Sequence, residues 1–487
     1  MNNEDVLVNH SNKNDINIAV LGCGPAGIVT ALGLAKMGYK VCVIATLRQH
    51  HVTEGISERV YQALKHANLH NALTEISDPI PRSVSWNGSH SAANTERLIR
   101  RVPFDKALLK DLADAGIKFH QESITEIIDL ANESNSNESG AKSNTEKKAE
   151  NKKRSEYAIA CKSGKRFISN FVVEARGRTA PVAKSSHIKG AESLSICQNW
   201  TVSDQSISDQ APSGNVQSSK SDLKRGSLMS PEAIAISIEN GWLWLANNGK
   251  GNIFTQVSVS SNSKNSASSK AASSNNTNGT KESLSSYIHK LVFSQPELAH
   301  IIPYIKPDGK VLARSSTPIL NKTPIKDHMI CVGDAAMSVD PLSGNGIFQS
   351  LSSALIAPIV INTILQRPQS KNLAQTLYIE RLHHLFYRFS RIGRDFYKME
   401  SRWQNQNFWQ ERCAWPDQQP AHQAQDRIIG VEKRGVINGE FIEEKEVVIT
   451  AEQPLGIWKI NNKDATSVLA AKLSQNKNES EKKSKQY

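Results

Sequence analysis

Ile18-Ala19-Val20-Leu21-Gly22-Cys23-Gly24-Pro25-Ala26-Gly27 runs from four apolar residues through Gly-x-Gly-x-x-Gly into a helix-forming stretch. Such a strand, turn and helix let backbone approach a pyrophosphate, which then meets the free N–H groups and positive dipole end of the helix. Alone, the pattern fits many dinucleotide-binding chains. It decides the fold when paired with Ile330-Cys331-Val332-Gly333-Asp334-Ala335-Ala336, again a strand, a Gly-Asp turn and a helix start. A carboxylate at Asp334 can hold polyol hydroxyls, and the following helix start can face a second phosphate. Two phosphate-facing helix starts bracketing one chain suit FAD better than NAD.

The 487 residues suffice for two or three domains and a large core. Net charge is +12, but much of the excess lies in polar stretches such as 147–154 and 482–485 rather than in an arginine stripe interleaved with aromatics. No nucleic-acid partner is expected, while a protein with an acidic face stays open. Cys23, Cys42, Cys161, Cys197, Cys331 and Cys413 form no Cys-x-x-Cys, so neither a disulfide framework nor a zinc site is expected. His66 and His70 have the i, i+4 spacing of a helical metal pair and His383-His384 are adjacent, but neither pair has a third ligand and no metal is expected. The first residues lack a basic segment and an apolar core, which points to the cytoplasm. The apolar run 347–365 contains Gln349, several serines and Pro358 and reads as a buried core helix, so no membrane is expected.

Segments 131–155, 203–222, 260–286 and 474–487 consist of Ser, Asn, Lys, Glu and Gln and are expected to be mobile inserts and a tail. Insertions at loop tips cost little, so they leave an ordinary fold intact. Strand 18–21, helix 25–36 and strand 40–44 make a βαβ start, followed by a helix over 57–67. Asp105 is placed as the N-cap of a helix through 115, with Gly116 closing it and a strand at 117–120. Strand 171–174 leads into Ala175-Arg176-Gly177-Arg178. Residues 83–86 and 232–259 alternate as strands do and should form a second sheet covering the cofactor. From 373 to about 415 the chain is helical and aromatic-rich. The fold class is therefore α/β. A Rossmann-type FAD-binding domain (16–80, 98–200 and 311–368) carries an inserted antiparallel-sheet substrate domain (81–97 and 201–310) and a helical C-terminal region (369–473).

This order resembles the FAD-dependent monooxygenases of the p-hydroxybenzoate hydroxylase type and their flavin-dependent halogenase relatives. The resemblance rests on Gly22–Gly27, on Arg101 with Phe104-Asp105 and Leu108, on Glu174-Ala175-Arg176-Gly177-Arg178, and on Gly333-Asp334 through Gly346. Where the family usually has Asp-Gly, Arg176-Gly177 stands here. The resemblance implies that Gly22, Gly24 and Gly27, with Pro25 and Ala26, approach the pyrophosphate, and that Asp334, beside Gly333, holds the ribityl chain. Pro341-Leu342-Ser343-Gly344-Asn345-Gly346 would run under the isoalloxazine and present N–H groups to its N1–O2 edge. The second strand ends Val43-Ile44-Ala45-Thr46, where an acidic ribose ligand usually falls. Adenosine contact would lean instead on Arg48 or Thr46. Arg101 resembles the family arginine that reaches the flavin from the next helix; for either arginine a solvated loop cation is the alternative reading.

Glu54-Gly55-Ile56-Ser57-Glu58-Arg59, together with Gly393-Arg394-Asp395-Phe396-Tyr397, Glu400-Ser401-Arg402-Trp403 and Phe408-Trp409, resembles the LodB-type flavoproteins. Those modify a tryptophan in a partner amine or amino-acid oxidase to make a tryptophylquinone. Read from the residues alone, Ser57–Arg59 is a helix cap with a first-turn acid, and the aromatic stripe is core packing. Trp242-Leu243-Trp244-Leu245-Ala246-Asn247 matches the halogenase Trp-x-Trp-x-Ile-Pro signature at both tryptophans and departs from it at Ala246-Asn247. The function implied is hydroxylation of a tryptophan in the precursor of a quinone-cofactor amine or amino-acid oxidase, using FAD, O2 and an electron donor. A flavin-dependent halogenase or small-aromatic hydroxylase is the second reading, and a non-catalytic flavin-containing assembly factor the third. No catalytic base is legible, and no second Gly-x-Gly-x-x-Gly identifies the electron donor.

Overall fold

The computed structural model describes residues 13–130, 156–181, 186–203, 230–261, 283–423 and 428–469. The expected insert 131–155, all but the first residue of 203–222, residues 262–282 of 260–286 and the tail 474–487 lie outside the described residues; against expectation, Ser260 ends a strand and residues 284–286 open a helix.

A six-stranded sheet carries the nucleotide-binding half. Lys118–Gln121, Lys40–Ala45, Asn17–Leu21, Phe171–Glu174 and Met329–Cys331 run parallel in that spatial order, and Ile325–Lys326 pairs antiparallel at the edge. The inner strands are almost wholly apolar because both faces are covered, one by helices and the other, at Ala19, Leu21, Ile44 and Val172, by the three-stranded antiparallel sheet of Ile124–Asp129, Tyr157–Cys161 and Arg166–Ser169. Helices Pro25–Lys36, Arg101–Asp114 and Gly346–Gln366 supply much of that cover, and the core includes Ile28, Leu34, Leu108, Leu112, Val360 and Ile361. Gly346–Gln366 is the one described helix long and apolar enough to cross a membrane, and 67% of its apolar window is buried inside the protein.

Two local expectations are corrected. Asp105 does not cap its helix, which starts a turn earlier at Arg101; the carboxylate instead pairs with Arg101 across i, i+4. His66 and His70 do not share a helix, because Glu58–His66 ends there and Asn68 turns left-handed (φ +59°) before His70–Thr74.

The second sheet has eight strands and is wider than 83–86 and 232–259 alone. Ile305–Ser315 and Ser193–Val202 form one side, and Asn252–Ser260, Gly241–Asn247 and Glu232–Ile238 the middle. Ile80–Trp86, Ser89–Arg100 and Thr53–Ile56 complete it. Ser89–Arg100 had a legible signal: Asn87-Gly88 adopt positive φ (+52° and +74°), as a two-residue hairpin turn favours. One face of this sheet packs on Leu284–Phe293 through Ile236, Leu243, Leu245 and Val257. The other carries Leu98, Trp242, Trp244, Ala246 and Phe254 and packs with Leu342, Tyr397 and Trp409.

The C-terminal region is helical over Lys371–Lys398 and Asn407–Ala414, then turns into the hairpin Ile428–Asn438 and Phe441–Thr450. It grips the second sheet through Glu400, whose side chain is fully buried. Its Oε2 accepts from Asn87 N–H (2.8 Å) and Ser237 Oγ–H (2.6 Å), and its Oε1 from Arg402 N–H and Nε–H (both 2.9 Å). Burial alone would raise this carboxyl, but the Arg402, Ser237 and backbone donors outweigh it and hold it down at about 2.

A folded-state value below the ordinary one means that the stability gained from Glu400 is complete above the usual carboxylate range. It is lost as pH falls through about 2. Glu400→Gln should cost about 2 kcal/mol near neutral pH, the scale of a charge-assisted buried hydrogen bond. Denaturant titrations should show that gap between wild type and variant closing as the solution is acidified below the usual carboxylate range.

Candidate active site

The crevice opens where the parallel strand order reverses, at the carboxyl end of Asn17–Leu21. Gly22 has φ +122°, and a Cβ there would lie 2.3 Å from the Ala175 carbonyl oxygen. A Cβ on Gly27 would lie 2.1 Å from the Gly22 oxygen, so this glycine lets the helix pack on the turn. Gly24 differs. Its backbone is ordinary (φ −76°), and an added Cβ would meet no protein atom within 4 Å. Pro25–Lys36 has no side-chain N-cap bond, leaving its first N–H groups for an anion.

The second motif abuts the first: a Cβ on Gly333 (φ +61°) would lie 2.8 Å from Ala26 Cβ. Gly333 N–H donates to Ser353 Oγ (2.8 Å), and Ser350 Oγ–H donates to Asp334 Oδ1 (3.2 Å). Arg178 Nε stands 3.7 Å from Asp334 Oδ2, while its Nη atoms donate to the Thr317 carbonyl (2.8 Å) and Ser338 Oγ (2.6 Å). Burial pushes the Asp334 carboxyl up, and Arg178 and Ser350 oppose the rise. Arg178 and Ser350 were not assigned from sequence; the signal was the Arg-Gly in place of Asp-Gly. Arg176 itself turns back onto Glu174, with Nη2 2.6 Å from Oε2.

Pro341–Ser343 forms a single tight turn, with Leu342 N–H donating to Asp340 Oδ1 (2.9 Å) and Gly344 left-handed at φ +61°. Asn345 opens Gly346–Gln366 without a side-chain cap bond, so this helix start is free like the first. A Cβ on Gly344 or Gly346 would meet nothing within 4 Å, and the buried Gln349 amide has no hydrogen-bond partner among the described residues.

Thr46, Arg48 and Arg101 flank the first motif. The Thr46 carbonyl lies 3.8 Å from Cys23 Sγ. Arg48 Nε donates to Asp105 Oδ2 (2.9 Å). Arg101, 7% exposed, donates from Nη1 to Glu54 (2.7 Å) and from Nη2 to Asp105 (3.0 Å). Burial would lower its pKa, but Glu54 and Asp105 outweigh that and raise it. Neither arginine is a solvated loop cation. Each is held by carboxylates, and Arg101 ties Thr53–Ile56 to its own helix.

Above this crevice, Trp242 Nε1–H donates to Tyr397 Oη (3.1 Å), and Tyr397 O–H donates to Asp340 Oδ1 (3.0 Å). Sheet, C-terminal helix and Pro341–Gly346 turn are thereby locked together. A cavity of about 450 Å³ opens beside Arg101. Buried Leu98, Ala246 and Phe254 form its floor, and exposed His50, Arg100 and Lys310 its rim. Among the described residues no group of three or more His, Cys, Asp or Glu is placed to hold a metal ion.

Two uncapped helix starts, open space at Gly24, Gly344 and Gly346, the half-buried Asp334 carboxylate and the unpartnered Gln349 amide fit FAD. Gly24→Val should fold and lose its flavin, because the backbone tolerates it while the branched side chain fills the phosphate space. Gly27→Val should instead destabilise the apoprotein. Asp334→Ala should weaken FAD binding about 10- to 100-fold, the worth of a charge-assisted hydrogen bond. Flavin content and apoprotein melting temperature separate these outcomes.

No family model matches the chain. Among solved structures it is similar to the peptidyl tryptophan dihydroxylase QhpG, essential for tryptophylquinone cofactor biogenesis. Identity is 35% over 92% of this chain and 90% of QhpG, with a TM-score of 0.72. The flavin-dependent halogenase CmlS shares the fold at 15% identity, 90% and 85% coverage and a TM-score of 0.66. LodB of Marinomonas mediterranea, assigned as an FAD-dependent oxidoreductase, is 33% identical over 91 residues, a match spanning 19% of this chain and 23% of LodB. The cofactor is FAD, and the fold is the Rossmann-type FAD domain with its covering sheet and C-terminal helices. The chain belongs to the LodB/QhpG-type FAD-dependent monooxygenases.

Proposed function

We propose that the protein hydroxylates a tryptophan side chain in the precursor of a quinone-cofactor amine or amino-acid oxidase, as a step in forming its tryptophylquinone. The observation that carries this reading is the 35% identity to QhpG across 92% of the chain. The site supports it: the cavity has an apolar floor suited to an indole and a polar, cationic rim suited to the chain that bears it. With a net charge of +12, the protein would attract a precursor segment of negative charge.

FAD, when bound and reduced, supplies the activation of O2. The protein's own residues bind and orient. The two helix starts would hold the phosphates, and Asp334 the ribityl hydroxyls. N–H groups of the Pro341–Gly346 turn would face the ring edge, and the Trp242–Tyr397–Asp340 hydrogen bonds fix where that turn stands. The packed face around Trp242, Trp244 and Trp409 would exclude water from the ring. All six cysteines are free thiols, which supports placing the reaction in the cytoplasm.

Co-expression with a cognate oxidase precursor should add the mass of oxygen to a peptidyl tryptophan, located by peptide mass spectrometry. Each insertion takes two electrons, so omitting either O2 or the reductant should abolish it. Halogenation of free tryptophan with the precursor unchanged would replace this reading by the halogenase one, and an unmodified precursor held in a stable complex by the assembly factor.

A further inference from the structure

The face of the eight-stranded sheet that carries the cavity floor also carries a carboxylate. Alternate residues share a face, so Glu96 and Leu98 stand together on one strand, and Trp244 and Ala246 on another. Leu98 and Ala246 line the cavity. Glu96 and Trp244 are the next residues along the same face, adjoining the lining rather than belonging to it. The Trp244 ring meets Phe254, another floor residue, edge-on at 6.1 Å.

Glu96 Oε1 accepts from Trp244 Nε1–H at 3.0 Å, and Oε2 stands 3.9 Å from Arg82 Nε. Its side chain is 11% exposed. Room for it comes from Gly55: a Cβ there would lie 2.6 Å from Glu96 Oε2 and 3.0 Å from Trp244 Cζ2. Gly55 belongs to the Glu54–Arg59 motif, so part of that motif's meaning is space for this carboxylate.

Of the carboxylates around the site, Asp308 stands exposed in the cavity lining, and the buried and half-buried ones other than Glu96 are committed. Asp334 faces Ser350 and Arg178, Glu54 and Asp105 hold Arg101, Asp340 takes Leu342 N–H and Tyr397 O–H, and Glu400 is saturated. Among the described residues Glu96 has one hydrogen-bond donor, Trp244. Burial raises its carboxyl above the ordinary value, with Arg82 and Trp244 opposing, and this moves it toward the range of a useful base.

We propose that the cavity receives the target indole and that Glu96 is the general base for its hydroxylation. The assignment rests on the peptidyl-tryptophan reading above. Oxygen insertion forms a C–O bond at a ring carbon that still carries its hydrogen. Glu96 takes that hydrogen as a proton, and the C–H electron pair returns to the ring and restores the aromatic sextet. O2 provides the inserted atom, and its other atom leaves as water with two protons and the two electrons delivered through reduced flavin.

The test compares wild type, Glu96→Gln and Glu96→Asp, each with FAD, on a precursor whose target tryptophan is ring-deuterated or ordinary. Glu96→Gln keeps an acceptor for Trp244 and should retain flavin and bind the precursor as wild type does. Single-turnover oxygen insertion should slow about 100-fold. A primary isotope effect absent from wild type should appear, because proton removal becomes limiting. Glu96→Asp should fall between the two. Wild-type speed in Glu96→Gln without an isotope effect would overturn the assignment while leaving the hydroxylase reading intact. If Glu96→Gln does not fold, Glu96→Asp decides on the same readings, slowing with an isotope effect for the assignment and full speed against it. A wild-type protein that adds no oxygen to the precursor overturns the hydroxylase reading, and the assignment with it.

Discussion

The site depends on the contact between the first helix and Gly346–Gln366. Pro358 lies inside the second helix and has no N–H, so the Ala354 carbonyl loses its helical donor. Thr30, fully buried on the first helix, shares its one O–H between Ala26 O (2.8 Å) and that carbonyl (3.3 Å). Gly33 completes the fit, since a Cβ there would lie 2.7 Å from the proline ring. A polar defect in one helix is thus answered by the other at the closest point of approach. Both helices are then locked with their uncapped starts at one crevice, which is what a ligand with two phosphates and a ring edge requires.

Around this contact, several buried charges are answered by a partner. Glu174 meets Arg176, Glu54 and Asp105 meet Arg101, and Asp111 accepts the N–H groups of Asn71 and Ala72 at the start of His70–Thr74. Stripping one partner from such a pair leaves an uncompensated ion, which is costly in a protein interior. These pairs therefore fix geometry more than they add stability; Arg101 with Glu54 and Asp105 stands on the side of Arg48, and Glu174 with Arg176 across Asn17–Leu21 from it.

How far the sequence could be read follows from how local each feature is. The βαβ start, strand Phe171–Glu174 and helix Pro25–Lys36 are written in contiguous residues and glycine positions, and their bounds fall within a residue or two of expectation. Asp105 was misplaced because a first-turn acid and an i, i+4 partner of arginine look alike in one dimension. Glu96 carried no local signal, and Tyr397 and Glu400 were legible as parts of the segments resembling the LodB-type flavoproteins but without a role. Each acquires its meaning from a partner far along the chain, Trp244 for Glu96, Asp340 and Trp242 for Tyr397, Ser237 and Asn87 for Glu400. The Glu54–Arg59 resemblance pointed to the right neighbourhood, but the reason for Gly55 needed the opposing side chains.

Chain order gives the C-terminal grip a temporal meaning. Synthesis proceeds from the N-terminus, so both glycine turns and all eight strands of the covering sheet have been made before Tyr397 and Glu400 exist. A nascent chain short of these residues lacks the hydroxyl that joins Trp242 to Asp340 and the carboxylate that ties down Asn87. A reduced flavin exposed to O2 on an unfinished protein would release oxidant without a substrate, and in this architecture the finishing contacts arrive with the last quarter of the chain.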